Sequence, residues 1–407
     1  MSRRSLVGIA VLALLPLLLG ISGGSPSTLG YRFDRASAPY VEPVLGWMVA
    51  NSASKILDSG EGSNSTIADV EQYLDLANRS ARLSRASWDS AASGPARSAA
   101  LSADLLPLRS ELDSSRPKAE RHIQDEVSAA LLRSGLSHSL AGREVVFPPV
   151  LFRFESLPYL LVVSPRDRIQ RATTVLLRPR LTLEEAEELE NQVWGSGYAG
   201  IVLPIGGLGV YPSMVPESSD YRWVLTTVAH EWTHQFLALR PLGWRYAFGA
   251  EGDNRMVMIN ETVAEIVGKE IGNAVFEGER PAAMAEQRRS SGGSAATLDA
   301  RKALSDIRKQ VDRLLDRGEI DEAESFMENS RQTLVQQGYQ LRKLNQAYFA
   351  FHGNYTEASA SVGGAQGDDV ASRLRALRKA SPSLGDFAWR VSEAGSYQEF
   401  LRIAPAP

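Results

Sequence analysis

The 407-residue chain contains no cysteine. That absence excludes a disulfide framework, a thiol nucleophile, a thiolate zinc site and a lipidated amino-terminal cysteine, so any metal must be held by histidine and carboxylate. Histidine itself is scarce, at five residues. Positive charge is not in excess either: 44 Lys and Arg stand against 48 Asp and Glu, for a net charge of -4. Nucleic acid is not an expected partner of such a chain. After residue 30 no apolar run is long enough to cross a bilayer. What is present is a 43% hydrophobic content, enough to fill the core of one large domain or two smaller ones.

Residues 1–30 are of another kind. Ser2-Arg3-Arg4 gives a short basic start, Leu6 to Ile21 is uncharged and apolar, and a Ser/Gly/Pro stretch follows. This is the pattern of a signal peptide or of an amino-terminal membrane anchor. Gly20, Ser22 and Gly24 allow cleavage, but no A-x-A site is present. Either way the remainder is expected to be extracytoplasmic, secreted or membrane-anchored by its amino terminus.

Residues 31–140 read as a helical amino-terminal region, with turns expected at 58–65, 92–98 and 113–118. Ile67, Val70, Leu74 and Ala77 share one face of an amphipathic helix. Residues 141–407 form the second region. Leu160 to Val163 and Thr173 to Leu177 are strand candidates, and a helix from Leu183 to about Trp194 is capped by Thr182 and Glu185 in a capping box. Its acidic run, LEEAEELE, reads as a solvated face. The segment YAGIVLPIGGLGVYPSMVP is a strand in which Pro204 argues for a sheet edge. Gly206, Gly207 and Gly209 there admit another backbone, as a bound peptide or as a hairpin.

A helix capped by Ser219 or Asp220 is expected to end at Pro241 and Gly243, and a second to begin near Met256. A long helical hairpin spans about 300–352, turning at DRGEI, with Leu304, Ile307, Val311 and Leu314 as one stripe and Leu341, Leu344 and Tyr348 as the other. Short helices close the chain. His122 and His138 read as surface residues, and Arg166-Asp167-Arg168 as an ion-pair turn.

The chemistry concentrates in VAHEWTHQFLALRPLG. His230 and His234 lie four residues apart and so on one face of a helix, where both imidazoles can reach one ion. With five histidines in the whole chain, a chance His-Glu-x-x-His is expected well under once. A catalytic zinc site takes three protein ligands and leaves a fourth position for water. Glu231 is placed to take a proton from that water and return it to a leaving amine. Glu261, at the start of the next helix in NETVAEIVGKEIG, supplies the third ligand. Glu265, one turn on, is placed to accept the free ring N–H of a zinc histidine.

HEWTH followed by NETVAE resembles the gluzincin metallopeptidases, over roughly residues 200–275. The resemblance implies that His230, His234 and Glu261 bind one zinc per chain, that Glu231 is the general base and that Glu265 supports the ligands. It also implies that Gly206, Gly207, Leu208 and Gly209 hold a peptide or protein substrate by strand addition. An oxyanion donor from a later helix is implied too: AYFAFHGNY offers Tyr348, His352 and Tyr355, with Tyr355 favoured because Gly353-Asn354 should break the helix there. A narrower similarity, to bacterial proteins described as predicted aminopeptidases, rests on HEWTHQFLALRPLG, NETVAEIVGKEIG and LNQAYFAFHGNY. The Gly-x-Met-Glu-Asn stretch by which zinc aminopeptidases recognise a free amino terminus is absent, so terminal and internal cleavage both stay open.

The expected architecture is therefore α+β and mostly α-helical: a gluzincin-like zinc peptidase domain with a small sheet beside the active helix and a long helical hairpin. The alternative is an envelope protein that holds zinc without catalysis and acts as a binding or scaffold module; membrane association, where the amino-terminal segment is an anchor rather than a cleaved signal, is compatible with both.

Overall fold

The computed structural model describes residues 37–41, 44–58, 65–91, 95–140, 142–218, 220–248, 254–279, 295–352 and 364–405. It is an α+β fold, about 65% helical, with small sheets. The amino-terminal apolar run and Tyr355 lie outside the described residues. Among those that are described, no helix is long and apolar enough to cross a membrane.

Three long helices open the chain: α1 (Val44–Asp58), α2 (Ile67–Ala91) and α3 (Pro95–Arg133). The turn expected at 113–118 does not form, and α3 runs through both Pro107 and Pro117. A helix-interior proline removes one backbone bond and normally costs ~3 kcal/mol. Here Leu108, Leu112, Ala119, Ile123 and Val127 bury together with Val70, Tyr73, Leu74 and Ala77 of α2. Stopping α3 at Pro117 would break that face in two. The Ser114 and Ser115 hydroxyls donate to the carbonyls of Glu111 and Leu112 in the turn before the proline, at 2.8 and 3.0 Å.

After a hairpin of β1 (His138–Leu140) and β2 (Arg143–Val145), the chain enters β3 (Phe152–Phe154), β4 (Tyr159–Pro165) and β5 (Thr173–Leu177). Helix α4 (Leu183–Gly195) carries the expected Thr182/Glu185 capping box. With β6 (Tyr198–Pro204), the three-stranded antiparallel sheet has the order β5-β4-β6. β6 is thus an edge, and Pro204 sits at its last position, where a missing N–H costs no ladder bond. α4 covers one face of this sheet through Ala186, Leu189 and Val193. Glu190 of the acidic run departs from the solvated face expected for it: it is buried, bonded to the backbone N–H of Val202 at 2.8 Å and to Arg342 and Lys343.

β7 (Ser213–Val215) pairs in parallel with β3 and feeds α5 (Tyr221–Ala238). Asp220 caps α5, accepting from the Trp223 N–H at 3.0 Å; Ser219 lies outside the described residues. α5 ends at Ala238, just before the stop expected at Pro241 and Gly243, but Pro241 does more than end it. It begins a further helix, α6 (Pro241–Phe248), as a proline can at a first helical position. α7 (Asn254–Glu279) then runs back antiparallel to α5. Gly268 and Gly272 set the approach of the pair: a β-carbon at Gly272 would lie 2.7 Å from the Thr226 backbone nitrogen, and one at Gly268 2.8 Å from the Thr226 carbonyl oxygen.

The hairpin consists of α8 (Ala295–Asp316) and α9 (Ile320–Gln336), turning at Arg317-Gly318-Glu319. Its second arm ends earlier than expected. Gly338, at a positive φ of 93°, turns the chain away, so Leu341 and Leu344 lie in irregular backbone while Tyr348 belongs to a separate short helix, α10 (Gln346–His352). α10 covers the other face of the sheet, where Ala347 and Phe351 bury with Val162, Ala199 and Ile201. Helices α11 (Gly364–Ala380), α12 (Leu384–Ser392) and α13 (Tyr397–Ile403) complete the core around α7.

Candidate metal centre

α5 is gripped on its far side. Trp232 Nε1 donates to the Pro148 carbonyl at 2.7 Å, and Gln235 Nε2 to the Val210 carbonyl at 2.5 Å and to Ser213 Oγ at 2.7 Å. With those residues and Phe236 turned inward, helical spacing leaves His230, Glu231 and His234 on the side that meets α7 and the segment after β6.

His230 Nε2 and His234 Nε2 are 3.1 Å apart, and Glu261 Oε2 stands 3.6 Å from the first and 3.5 Å from the second. Ligand atoms bound tetrahedrally at zinc-like distances of ~2.0–2.1 Å are separated from one another by roughly 3.3 Å. The triangle therefore has the size of one face of such a coordination shell, and the residues present fit a divalent metal. These are the three ligands expected from the sequence. All of them sit on rigid helix, two on α5 and one on α7.

Asn260, preceding Glu261, is buried, and its Oδ1 accepts from His234 Nδ1–H at 2.7 Å. It fixes the ring so that Nε2 points into the triangle. Such a role was expected of Glu265 at one of the two histidines; at His234 it is Asn260, directly before the ligand, that reaches the ring, and Glu265 is one turn further on. Glu265 lies between Glu261 and Gly268 on the α7 face toward α5, and Lys269 holds its carboxylate at 3.0 Å. The only trace of Asn260 in the sequence was its place in front of Glu261 at the head of an apolar helix.

The three ligands are coupled through charge. Burial opposes a charge on His234, but the Glu261 carboxylate outweighs it and lifts the imidazole to about 9. Burial likewise opposes the Glu261 charge, and the two imidazoles hold that carboxyl below the usual carboxylate range. A proton is therefore kept inside the triangle at neutral pH, and a metal must displace it. Glu231 behaves differently. Burial pushes its carboxyl up against the pull of both histidines.

Glu231 is 6% exposed because the chain after β6 lies across it. A β-carbon at Gly207 would be 2.0 Å from Glu231 Oε1, and one at Gly209 3.0 Å from His234 Cβ. A side chain at position 207 would have to displace the Glu231 carboxylate. Gly206, by contrast, has open space around it. Leu208 is corrected as a backbone contact for substrate: its N–H and C=O are both bonded to Met214, at 3.0 Å each. The backbone groups of Gly207 and Gly209 alternate to the other side of that pairing.

Neither Tyr348 nor His352, among the described residues, makes a hydrogen bond or ion pair to the three ligands. Both lie on α10 with ring centroids 4.3 Å apart, and burial lifts the Tyr348 phenol to about 12 and lowers the His352 imidazole to about 4, which leaves both neutral. His122 and His138 are not the free surface residues expected. His122 meets Glu279, and His138 Nε2 accepts from Arg240 at 3.1 Å beside Trp389. The ion-pair turn is present in part: Arg168 bonds Asp167, but Arg166 reaches across to Glu324 at 2.6 Å.

No family model matches this chain, and no curated protein or solved structure matches it.

Proposed function

We propose that the chain is a zinc metallopeptidase of gluzincin type, acting outside the cytoplasm. The observation that carries the reading is the triangle of His230, His234 and Glu261, with edges of 3.1, 3.5 and 3.6 Å and Glu231 buried beside it. A zinc ion held there would supply Lewis acidity, polarising a scissile carbonyl and acidifying water.

The chain's own residues supply the rest. Glu231 takes the proton of the attacking water and returns it to the leaving amine; burial raises its proton affinity toward the range in which one carboxyl can do both. Asn260 keeps the His234 ring in the tautomer that presents Nε2. Gly207 and Gly209 present backbone donors and acceptors beside Glu231, and among the described residues these make no hydrogen bond. An extended peptide running along them would place its carbonyl at the base. Tyr348, His352 and Tyr355 remain the candidates to hold the oxyanion. Cleavage inside a peptide and at its amino terminus are both compatible with this arrangement, since no acid stands on the glycine segment to bind a free amine.

One observation favours a second reading. The cover of Gly207 over Glu231 leaves the base little access, as suits a protein that holds zinc without hydrolysis and serves as a binding module. A peptide-library digest with wild type and Glu231→Gln separates the two. Cleavage in wild type that vanishes in a variant still holding zinc supports the peptidase; equal cleavage in both, or none in the zinc-loaded wild type, sinks it.

A further inference from the structure

The opposite end of the α5–α7 pair carries a second group of ligating side chains. His122 and Glu126 stand four residues apart on one face of α3, and Glu279 closes the last turn of α7. One ligand atom from each lies within 4.8 Å of the other two. The His122 Nε2 to Glu279 Oε1 distance is 2.5 Å.

Glu279 is supported the way a metal ligand is, and the backbone of Ser65 lies beside His122 and favours its charged form. The Tyr221 hydroxyl, at the first position of α5, donates to Glu279 Oε2 and leaves Oε1 facing the histidine. Glu126 is half-buried and makes no hydrogen bond among the described residues, though its charge is felt by both His122 and Tyr221. The surroundings are sheltered too, with His122 and Glu279 side chains 13% and 12% exposed. A carboxylate with no donor, aimed at an oriented imidazole and an oriented second carboxylate, is a cation's requirement more than a hydrogen bond's.

We propose that His122, Glu126 and Glu279 form a second metal site, for a divalent transition metal such as zinc, which ties α3 to α7. One imidazole and two carboxylates form a donor set that zinc accepts. Occupancy replaces the proton shared by His122 and Glu279 and lets those two atoms move from 2.5 Å to the roughly 3.3 Å that ligands of one ion keep. The site is structural: Glu126 and Glu279 both serve as ligands, and among the described residues no buried carboxylate stands beside them as Glu231 stands beside the first triangle. This inference does not rest on the peptidase reading.

The test is equilibrium dialysis of the intact chain against zinc, with bound metal counted by elemental analysis, for wild type, Glu261→Ala and Glu126→Gln. Two zinc per chain in wild type and one in each variant is the expected result. A count that Glu126→Gln leaves unchanged overturns the second site, whatever Glu261→Ala does. A count lowered by Glu126→Gln but not by Glu261→Ala supports the second site and removes the first. Should Glu126→Gln fail to fold, the Glu261→Ala protein reads the site alone: one zinc is expected, and none overturns it.

Discussion

The two ends of the α5–α7 pair gather the same donor types in different surroundings. At one, His230, His234 and Glu261 converge between two helices, and a fourth titratable group, the buried Glu231, lies beside them under a chain segment that passes closely over it at Gly207 and Gly209. At the other, His122, Glu126 and Glu279 converge in a half-buried cluster, with Tyr221 as a neutral support and, among the described residues, without a further buried carboxylate in attendance. Three ligands make a place for an ion. What distinguishes a reactive centre is the further group held near them, its proton affinity shifted by burial, and a backbone edge on which a substrate can lie.

The largest effect expected from breaking this comparison falls on turnover. Glu231→Gln should lower peptide hydrolysis by about 10³-fold while zinc content stays the same, whereas His122→Ala should leave the rate within a few-fold; a rate assay beside metal analysis checks both. Next is the contact common to both ends. Gly272→Ala puts a methyl against the Thr226 backbone and should cost about 3 kcal/mol in a denaturant unfolding curve. Third, Asn260→Ala removes the ring support of His234 and should weaken zinc binding roughly 10- to 100-fold at the first end only, as read by competition with a chelating dye.

The last effect is in pH. His234 is raised to about 9 by Glu261, so with zinc chelated its contribution to stability is complete below its unfolded value and is lost as pH climbs through about 9. His122, raised by its bond to Glu279, acts in the same sense. Glu261, held low, contributes in the opposite sense: its share is present above the ordinary carboxylate range and lost in acid. The unfolding free energy of chelated protein, read from denaturant curves, should therefore fall between about pH 6.5 and 9, by about 3 kcal/mol at most. With zinc it should rise over the same interval, because metal competes with those protons. A flat profile in both would mean the triangle holds neither.

The parts legible in the sequence were those fixed by local spacing. His230 and His234 share a helix face by periodicity, Glu261 falls on the returning helix, though about two turns inside it rather than at its start, and the Thr182–Glu185 box and strands β4 and β5 follow from residue type. What was not legible depended on partners far along the chain. Pro117 reads as a stop, and only the burial of Ile123 and Val127 against α2 carries the helix past it. Glu190 reads as solvated until Arg342 and Lys343 arrive from 150 residues away. His122 reads as surface because Glu279 is invisible from its own helix. Asn260 was adjacent to a predicted ligand, but its function is a direction of approach, which spacing along one helix does not encode.

Gly268 and Gly272 have a mechanical consequence. They straddle the midpoint between Glu261 and Glu279, so the backbones of α5 and α7 touch near a central fulcrum with arms of about 13 Å to either side. The close approach there sets the gap that His230 and His234 span to reach Glu261; a side chain at either glycine would widen that triangle from a distance.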